Sequence, residues 1–428
     1  MNIEALYSLY LRHPSVSTDT RKIKNGDIFF ALKGPNFNAN AFAEKALGAG
    51  AAYAIIDDAN YKTNEQCIVV GNVLQTLQAL ARHHRRQHDI PVIGITGSNG
   101  KTTTKELLWQ VLNTTYRTHA TQGNLNNHIG VPLTILSWPK NIEVAIVEMG
   151  ANKIGDIQEL VEIAEPTHGL ITNIGMAHTQ GFGSLEGVIR GKSELYLHLL
   201  KHRGEVFINS KNEFLRNMGK RFPNPHYYPG KGDYYHCRFI SASPYVVVEA
   251  EDGTTIHTHL VGAYNFENIA AALCVGKYLH VPAEAANKAI AAYVPSNNRS
   301  QIIEKGSNII ILDAYNANPN SMEAALNNLI SINADHKAVI LGDMNELGEY
   351  SDDAHTKIGA IVHNAKLDKV IFCGKHIKVA LKSCPDAHYF ENKEDLITYL
   401  KEHPFQDTTL LIKASRGIGL ETIVDQIS

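Results

Sequence analysis

Short apolar runs that alternate with helix-like segments dominate the pattern of hydrophobic and polar positions along the 428-residue chain. Apolar residues spaced three or four positions apart predict a helix from Val73 to about His88. Strands and helices in alternation are typical of βαβ units and of mostly parallel sheets. The predicted strands lie at 27–32, 52–56, 67–70, 91–96, 144–147, 169–172, 206–208, 246–248, 308–312, 338–341, 369–372 and 409–412.

The spacing of turn-forming residues divides this pattern into three predicted α/β domains. Pro91 follows the first long helix, and the turn-rich segment Val294-Pro-Ser-Asn-Asn298 precedes the last group of strands. We therefore predict an N-terminal domain at 1–88, a central, mostly parallel domain at 89–297 and a Rossmann-like C-terminal domain at 298–428. The length fits, because domains usually hold about 100–200 residues.

Composition argues against nucleic-acid or membrane-surface binding, since 40 Lys and Arg against 43 Asp and Glu give a net charge of −3. We interpret the basic run Arg82-His-His-Arg-Arg86 as cations that complement a helix C-terminus.

Five scattered cysteines without a C-x-x-C pair are typical of reduced thiols in a cytoplasmic protein. No apolar run reaches the ~18 residues that span a bilayer, so no membrane insertion is expected.

The strongest local motif is Gly94-Ile-Thr-Gly-Ser-Asn-Gly-Lys-Thr-Thr-Thr104. A strand, a glycine turn and a helix in this order present successive backbone N–H groups to a polyphosphate. The spacing is the short T-G-x-x-G-K-T, with Ile95 where the usual phosphate loop has its first glycine. The motif predicts a nucleoside triphosphate but no particular reaction. Its candidate binding residues are Thr96, Gly97, Ser98, Asn99, Gly100, Lys101, Thr102 and Thr103.

Two residues that follow neighbouring strands are candidate metal ligands. Glu148 ends the run at 144–147, and His178 follows the strand at 169–172. In open parallel sheets, ligands lie beyond the carboxyl ends of the strands, where a carboxylate can hold Mg²⁺ beside phosphates. Each residue alone would more often be structural, but three strand ends with suitable groups favour a functional site. His257 and His259 alternate on one strand face, and we interpret them as surface residues.

The chain resembles the Mur ligases of peptidoglycan synthesis over nearly its whole length. Within that family, the third-domain motifs are most similar to the branch that adds D-alanyl-D-alanine. The segments that carry the resemblance are Ser17-Thr-Asp-Thr-Arg21, Gly26–Gly34, Asn36–Phe42, Gly123–Pro132, Thr172–His178, Gly191-Lys-Ser-Glu194, Asn265–Ala271, Asp313–Met322 and Leu341–Gly348. Two departures are Ala414, where the family more often has glycine, and Tyr264, where a histidine is common.

The resemblance implies a role for each matched residue. Lys101, Lys192 and His178 would be catalytic, and Thr102, Glu148, His178 and a carbamylated Lys192 would bind metal. Asn265, Asn268, Arg299 and Asp313 would join the phosphate loop at ATP, with Asn316 and Asn318 near the amino substrate or the nucleotide. Asp19, Thr20 and Arg21 would contact the uridine end of the other substrate, and two Mg²⁺ ions would serve as cofactors.

The implied reaction joins D-alanyl-D-alanine to UDP-N-acetylmuramoyl-tripeptide through an acyl phosphate and releases ADP and phosphate. We expect a monomer. One rival within the superfamily is a folylpolyglutamate synthase, against which the D-T-R and D-A-Y-N-A-N-P-N-S-M segments argue. The other is a non-catalytic nucleotide-binding protein, which a missing metal ligand would favour. Lys192 could instead pair with Glu194 or with phosphate. The sequence does not distinguish lysine from diaminopimelate at the third peptide position.

Overall fold

The computed structural model describes residues 2–175, 179–296 and 299–427. It is an α/β protein whose larger sheets are mostly parallel, which confirms the predicted fold class. Every predicted strand has a counterpart that overlaps it, and the helix predicted from Val73 ends at Arg85. Among the described residues, all helices are too short or too polar to traverse a lipid bilayer.

The N-terminal region is built around a parallel sheet of order β1-β2-β5-β6. Strands β3 and β4 form a separate small hairpin. Asn72 caps the last helix of this region by accepting a hydrogen bond from the Gln75 N–H at 2.9 Å. The elements are α1 (Ile3–Arg12), β1 (Val16–Ser17), β2 (Ile28–Phe30), β3 (Lys33–Gly34), β4 (Phe37–Asn38), α2 (Ala43–Gly48), β5 (Tyr53–Ile56), β6 (Cys67–Val69) and α3 (Val73–Arg85).

The central region contains a six-stranded parallel sheet of order β12-β11-β10-β7-β9-β8. A three-stranded antiparallel sheet of order β13-β14-β15 follows it. The strands are β7 (Val92–Thr96), β8 (Thr118–Ala120), β9 (Val144–Glu148), β10 (His168–Ile171), β11 (Glu205–Asn209), β12 (His226–Tyr228), β13 (Arg238–Ala242), β14 (Tyr245–Glu249) and β15 (Thr255–Val261). The helices are α4 (Lys101–Leu112), α5 (Gly130–Leu136), α6 (Asp156–Ala164), α7 (Thr179–Phe182), α8 (Leu185–His202), α9 (Glu213–Gly219), α10 (Asn265–Tyr278) and α11 (Ala283–Ala292).

The C-terminal region has a six-stranded sheet of order β16-β17-β21-β18-β19-β20, in which only the β16–β17 pair is antiparallel. Its elements are β16 (Gln301–Lys305), β17 (Asn308–Asp313), α12 (Pro319–Ser331), β18 (His336–Gly342), α13 (Ser351–Ala365), β19 (Lys369–Cys373), β20 (His388–Phe390), α14 (Lys393–Glu402) and β21 (Thr408–Lys413). Short 3-10 helices lie at Thr20–Lys22, Ala39–Phe42, Ala59–Tyr61, Gly348–Tyr350, Ile377–Lys382, Arg416–Ile418 and Leu420–Gln426.

The N-terminal and central regions share one hydrophobic core, which runs from Leu6 in α1 to Leu160 in α6. Polar contacts reinforce this junction. The Arg85 guanidinium donates to the Ala164 carbonyl at 2.9 Å, and Arg86 forms an ion pair with Glu165 at 2.6 Å. The basic run at the end of α3 therefore binds the neighbouring region as well as lying at a helix C-terminus.

We propose the predicted limits 1–88, 89–297 and 298–428 as the domain boundaries, because each of the three larger sheets lies within one of these ranges. His257 and His259 are exposed on β15, which confirms their interpretation as surface strand residues.

Candidate active site

The phosphate loop has the conformation that the sequence predicts. Strand β7 is buried throughout, and α4 begins at Lys101. Gly97 and Gly100 adopt φ values of 146° and 78°, which favour glycine. A Cβ on Gly97 would lie 2.0 Å from the Thr172 Oγ1, and one on Gly100 would lie 2.5 Å from the Asn268 Oδ1. Both glycines are therefore required by backbone conformation and by close neighbours.

A ring of hydrogen bonds holds the loop against the segment that follows β10. The Ser98 hydroxyl donates to the Gly175 carbonyl at 2.8 Å, and the Asn99 N–H donates to the Asn173 Oδ1 at 3.0 Å. Thr172 donates its hydroxyl to the Asn99 carbonyl at 2.5 Å. These contacts hold the loop in one conformation, and such preorganisation lowers the entropic cost of binding phosphate.

Lys101 folds back over the loop and donates to the Gly97 carbonyl at 2.7 Å. Burial lowers the pKa of its ammonium group to about 8, with a further lowering from the charge of Arg299, while Glu148 acts in the opposite direction. A triphosphate in the loop would compensate for this burial, because opposite charge favours the ammonium form. Lys101 is thus placed to bind the terminal phosphates.

Glu148 is held at the end of β9, beside the loop. Its carboxylate oxygens lie 3.1 and 2.9 Å from the Thr102 Oγ1, and the Asn126 amide donates to it at 2.8 Å. The Glu148 side chain is fully buried, and its backbone N–H donates to Thr121. A buried carboxylate in contact with a hydroxyl is a suitable oxygen pair for Mg²⁺. Sequence reasoning missed the Asn126 and Thr121 contacts, although Asn126 lies in a quoted motif.

Lys192 is 1 % exposed, on α8. Its Nζ lies 3.3 Å from the Ala151 carbonyl oxygen and 5.2 Å from the centre of the Phe182 ring. Burial and the nearby charge of Lys101 hold the pKa of this amine well below its usual range. Among the described residues no ion pair joins Lys192 to Glu194, whose carboxylate accepts N–H groups at the start of α6.

The structure describes only some of the predicted metal ligands. His178 lies outside the described residues. Among the residues that are described, no three His, Cys, Asp or Glu side chains converge on a metal-sized site. The oxygen atoms of Thr102 and Glu148 are suitable ligands for a magnesium ion. The full set of Thr102, Glu148, His178 and Lys192 is a proposal.

The predicted nucleotide residues of the central region lie next to the loop. The Thr104 hydroxyl donates to the Asn268 Oδ1 at 3.0 Å, and the Asn268 amide donates to the Asn265 Oδ1 at 2.8 Å. Asn265 in turn donates to the Val261 carbonyl. This chain of hydrogen bonds fixes the start of α10 against α4, beside Gly100.

The C-terminal region closes the other side of the site. The Asp313 carboxylate forms an ion pair with Lys413 at 2.5 Å, and Lys413 also donates to the Asn316 carbonyl at 3.1 Å. Asn318 caps α12 and donates its amide to the Asn99 Oδ1 at 2.6 Å. Sequence reasoning did not assign Lys413, although it lies in a segment that resembles a family motif.

These residues surround one cavity of about 1210 Å³. Residues of all three predicted domains line it, from Leu74 through Lys101 and Glu148 to Arg299 and Asp313. Lys192 lies behind the wall at Ala151. Asp19 and Arg21 are not among the described lining residues, and they pair with each other at 2.8 Å in the N-terminal region. The structure therefore brings together the ATP-side residues and leaves the predicted uridine residues apart from them.

Comparison with known families decides what this arrangement is. The Mur ligase middle domain matches residues 95–276, and the Mur ligase, glutamate ligase domain matches residues 298–416. The chain belongs to the Mur ligase family. This Mur ligase is 38 % identical, over 96 % of the chain and 92 % of the relative, to the UDP-N-acetylmuramoyl-tripeptide–D-alanyl-D-alanine ligase of Bacillus subtilis.

Solved structures of Mur ligases agree with this assignment. MurF from Acinetobacter baumannii superimposes with a TM-score of 0.87 at 30 % identity and covers 96 % of this chain and 93 % of that one. MurF from Thermotoga maritima, solved in complex with ADP, has a TM-score of 0.83 at 27 % identity and covers 97 % of each chain. The predicted resemblance to Mur ligases is confirmed.

Proposed function

We propose that this Mur ligase joins D-alanyl-D-alanine to UDP-N-acetylmuramoyl-tripeptide at the expense of ATP, which gives the UDP-linked pentapeptide, ADP and phosphate. The observation that carries the proposal is the single cavity in which a phosphate loop, a buried Glu148 and the Asp313–Lys413 pair face one another. The relatives named for this activity are similar over nearly the whole chain. ATP and a UDP-linked peptide as substrates are consistent with action in the cytoplasm, and a monomer contains the whole cavity.

The chemistry begins with an electrostatic problem, because a peptide carboxylate must approach a triphosphate. Lys101 and the N–H groups of the loop neutralise the phosphates, and Arg299 brings a second cation to the same cavity. We propose two Mg²⁺ ions, held by Thr102, Glu148, His178 and Lys192. When bound, these ions would act as Lewis acids that stabilise charge on the phosphoryl oxygens. Transfer of the γ-phosphoryl group to the carboxylate gives an acyl phosphate.

The second half of the reaction places an amine beside that acyl phosphate. Asn316 and Asn318 line the same cavity as the phosphate loop, and the Asn318 amide contacts that loop at Asn99. Attack of the amine on the acyl carbon forms the amide, and phosphate leaves. Positioning the amine accelerates this step, because the bound amine and the acyl phosphate are already oriented and need not meet by diffusion.

Lys192 is proposed to act as a carbamate. The nitrogen of its neutral amine attacks the carbon of CO₂ and loses one proton to solvent, which converts a neutral amine beside Lys101 into an anionic oxygen ligand. The neutral amine that this step needs is favoured by the burial of Lys192 and the nearby charge of Lys101.

An assay of ADP release with the two substrates, singly and together, tests the proposal. Release should require both, and ¹⁸O in the substrate carboxylate should appear in the released phosphate. Amide formed without labelled phosphate would exclude the acyl phosphate.

Thr102→Ser should retain Mg²⁺-dependent activity, whereas Thr102→Val should lose most of it, because only serine keeps the hydroxyl next to Glu148.

A further inference from the structure

Tyr315 lies in the loop between β17 and α12 and packs against two arginines. The Arg299 guanidinium carbon lies 3.8 Å from the centre of the Tyr315 ring, and that of Arg416 lies 5.3 Å from it. Guanidinium groups are planar and weakly hydrated, so they stack on aromatic rings and gain cation–π attraction. Tyr315 and Arg299 both line the cavity.

The stacking on Tyr315 is the side-chain contact that the described residues give to the Arg299 guanidinium. In the described part of the chain its Nε atom is buried without a hydrogen-bond partner. The neighbouring backbone is fixed, because the Ser300 Oγ lies 2.6 Å from the Tyr264 hydroxyl oxygen of the central domain. The Ser300–Tyr264 contact fixes the position of the backbone, and the orientation of the Arg299 guanidinium therefore depends on the Tyr315 ring.

The direction matters because Arg299 lines the same cavity as the phosphate loop. Its charge is felt at Lys101, whose ammonium group lies over the loop. Two cations that flank one anionic group neutralise it only if both are held at the right distance, because Coulomb energy falls with separation. A guanidinium that is free to rotate would stabilise the anionic group less, because water would solvate it and because fixing it on binding would cost conformational entropy.

We propose that Tyr315 is a positioning residue that aims Arg299 at the polyphosphate of the bound nucleotide, and that Arg416 braces the same ring. This role rests on the proposed ATP-dependent function. It makes the aromatic ring of Tyr315 a determinant of nucleotide affinity.

Two substitutions at Tyr315 separate the ring from its hydroxyl. Tyr315→Phe keeps the π face, and Tyr315→Leu removes it at similar volume. Calorimetric binding of Mg·ADP to the full chain should weaken about tenfold in the leucine variant, as expected for a partly desolvated cation–π contact, and less than about threefold in the phenylalanine variant. The KM for ATP should rise in parallel, whereas the KM for the UDP-tripeptide should stay unchanged.

A second background tests whether Tyr315 acts through Arg299. In Arg299→Ala, the further change Tyr315→Leu should cost no additional nucleotide affinity, because the group that the ring positions is gone. Tyr389→Leu is a matched control in the same domain, where the ring lies 5.5 Å from the Nζ of Lys378 and outside the described cavity lining. It should bind Mg·ADP like the wild type.

Wild-type affinity in Tyr315→Leu, or an undiminished loss in the Arg299→Ala background, would overturn the positioning role. Equal losses in the phenylalanine and leucine variants would also overturn it, since they would assign the effect to the hydroxyl. Failure of the wild-type chain to bind Mg·ADP or to form the amide would instead contradict the proposed function itself.

Discussion

The Asn318 amide donates to the Asn99 side chain at 2.6 Å, which joins the start of a C-terminal helix to the phosphate loop. The same Asn318 side chain accepts the Ser321 N–H at 2.9 Å and so caps α12. One residue therefore stabilises a helix and connects two regions of the active site.

Substitution of Asn318 separates its two roles. Asn318→Ser keeps a good helix cap but is too short to reach Asn99, so kcat should fall while the melting temperature stays close to that of the wild type. Asn318→Ala should lose both, with about 1 kcal/mol of stability removed with the cap. Asn392 caps α14 in the same way, far along the chain from the loop, and Asn392→Ala should reduce stability alone. An unchanged kcat in Asn318→Ser, measured by ADP release, would refute the connecting role.

Replacement of Lys192 should separate activity from stability. Lys192→Met removes a buried amine whose desolvation is unfavourable, so the melting temperature at pH 7 should be equal or higher while activity is lost. Lys192→Ala should regain part of its activity with a short added carboxylate. A carbamate carbon signal should appear by NMR in wild-type protein supplied with ¹³C-bicarbonate. Lys201→Met, on the exposed face of α8, is the control and should have the activity and melting temperature of the wild type. Full activity in Lys192→Met would exclude the carbamate.

Asp19 should affect only the UDP-linked substrate. Its carboxylate caps a 3-10 helix and holds the Arg21 guanidinium at 2.9 and 2.8 Å, which lowers the pKa of Asp19 to about 2 through hydrogen bonding to Arg21. Asp19→Ala releases Arg21, so the KM for the UDP-tripeptide should rise severalfold without a change in the KM for ATP. Asp58→Ala removes a cap of the same kind without an arginine and should leave both values unchanged. Equal increases for both substrates would contradict the assignment.

His84 should make the protein less stable in mild acid. It is buried between the N-terminal and central regions, beside Tyr7, Tyr10, His83, His88 and Trp138. Burial, with added repulsion from His88 and His83, lowers the pKa of His84 to about 4. The unfolded chain gains a proton near pH 6.5 while the folded protein stays neutral, so stability falls as the pH drops from about 6.5 towards 4.

Urea unfolding at several pH values measures this dependence. Between pH 7 and pH 5, His84→Gln should lose less free energy of unfolding than the wild type, whatever their difference at pH 8. Parallel curves for the two proteins over this range would show that His84 does not contribute.

Local sequence signals predicted the phosphate loop closely. The strand predicted at 91–96 is Val92–Thr96, and the helix predicted after the glycine turn extends from Lys101 to Leu112. The motif could be predicted because its glycines, its lysine and its buried strand all lie within a few residues of one another in the sequence. Glu148 was also placed correctly at a strand end, because carboxyl ends of parallel strands share an edge.

Contacts between distant segments could not be predicted in this way. The Asn99 and Asn318 side chains are 219 positions apart, and their hydrogen bond depends on how two domains pack. The same holds for Arg86 and Glu165, where the arginine was interpreted only as a helix-end charge. The antiparallel sheet β13–β15 was also underpredicted, because only 246–248 forms a clear apolar run, whereas β13 is largely exposed and β15 alternates exposed and buried residues.

The shared core and the Arg85 and Arg86 contacts have a consequence for substrate choice. Because the N-terminal and central domains form one continuous packed body, the separation between Asp19 and the phosphate loop is set by folding. In the proposed binding mode, in which Asp19 binds the uridine end of the substrate, this packed body fixes how far the peptide must extend to bring its carboxylate to the phosphate loop. A UDP-linked peptide one residue too short would still bind through its uridine end, but its carboxylate would not reach the γ-phosphate.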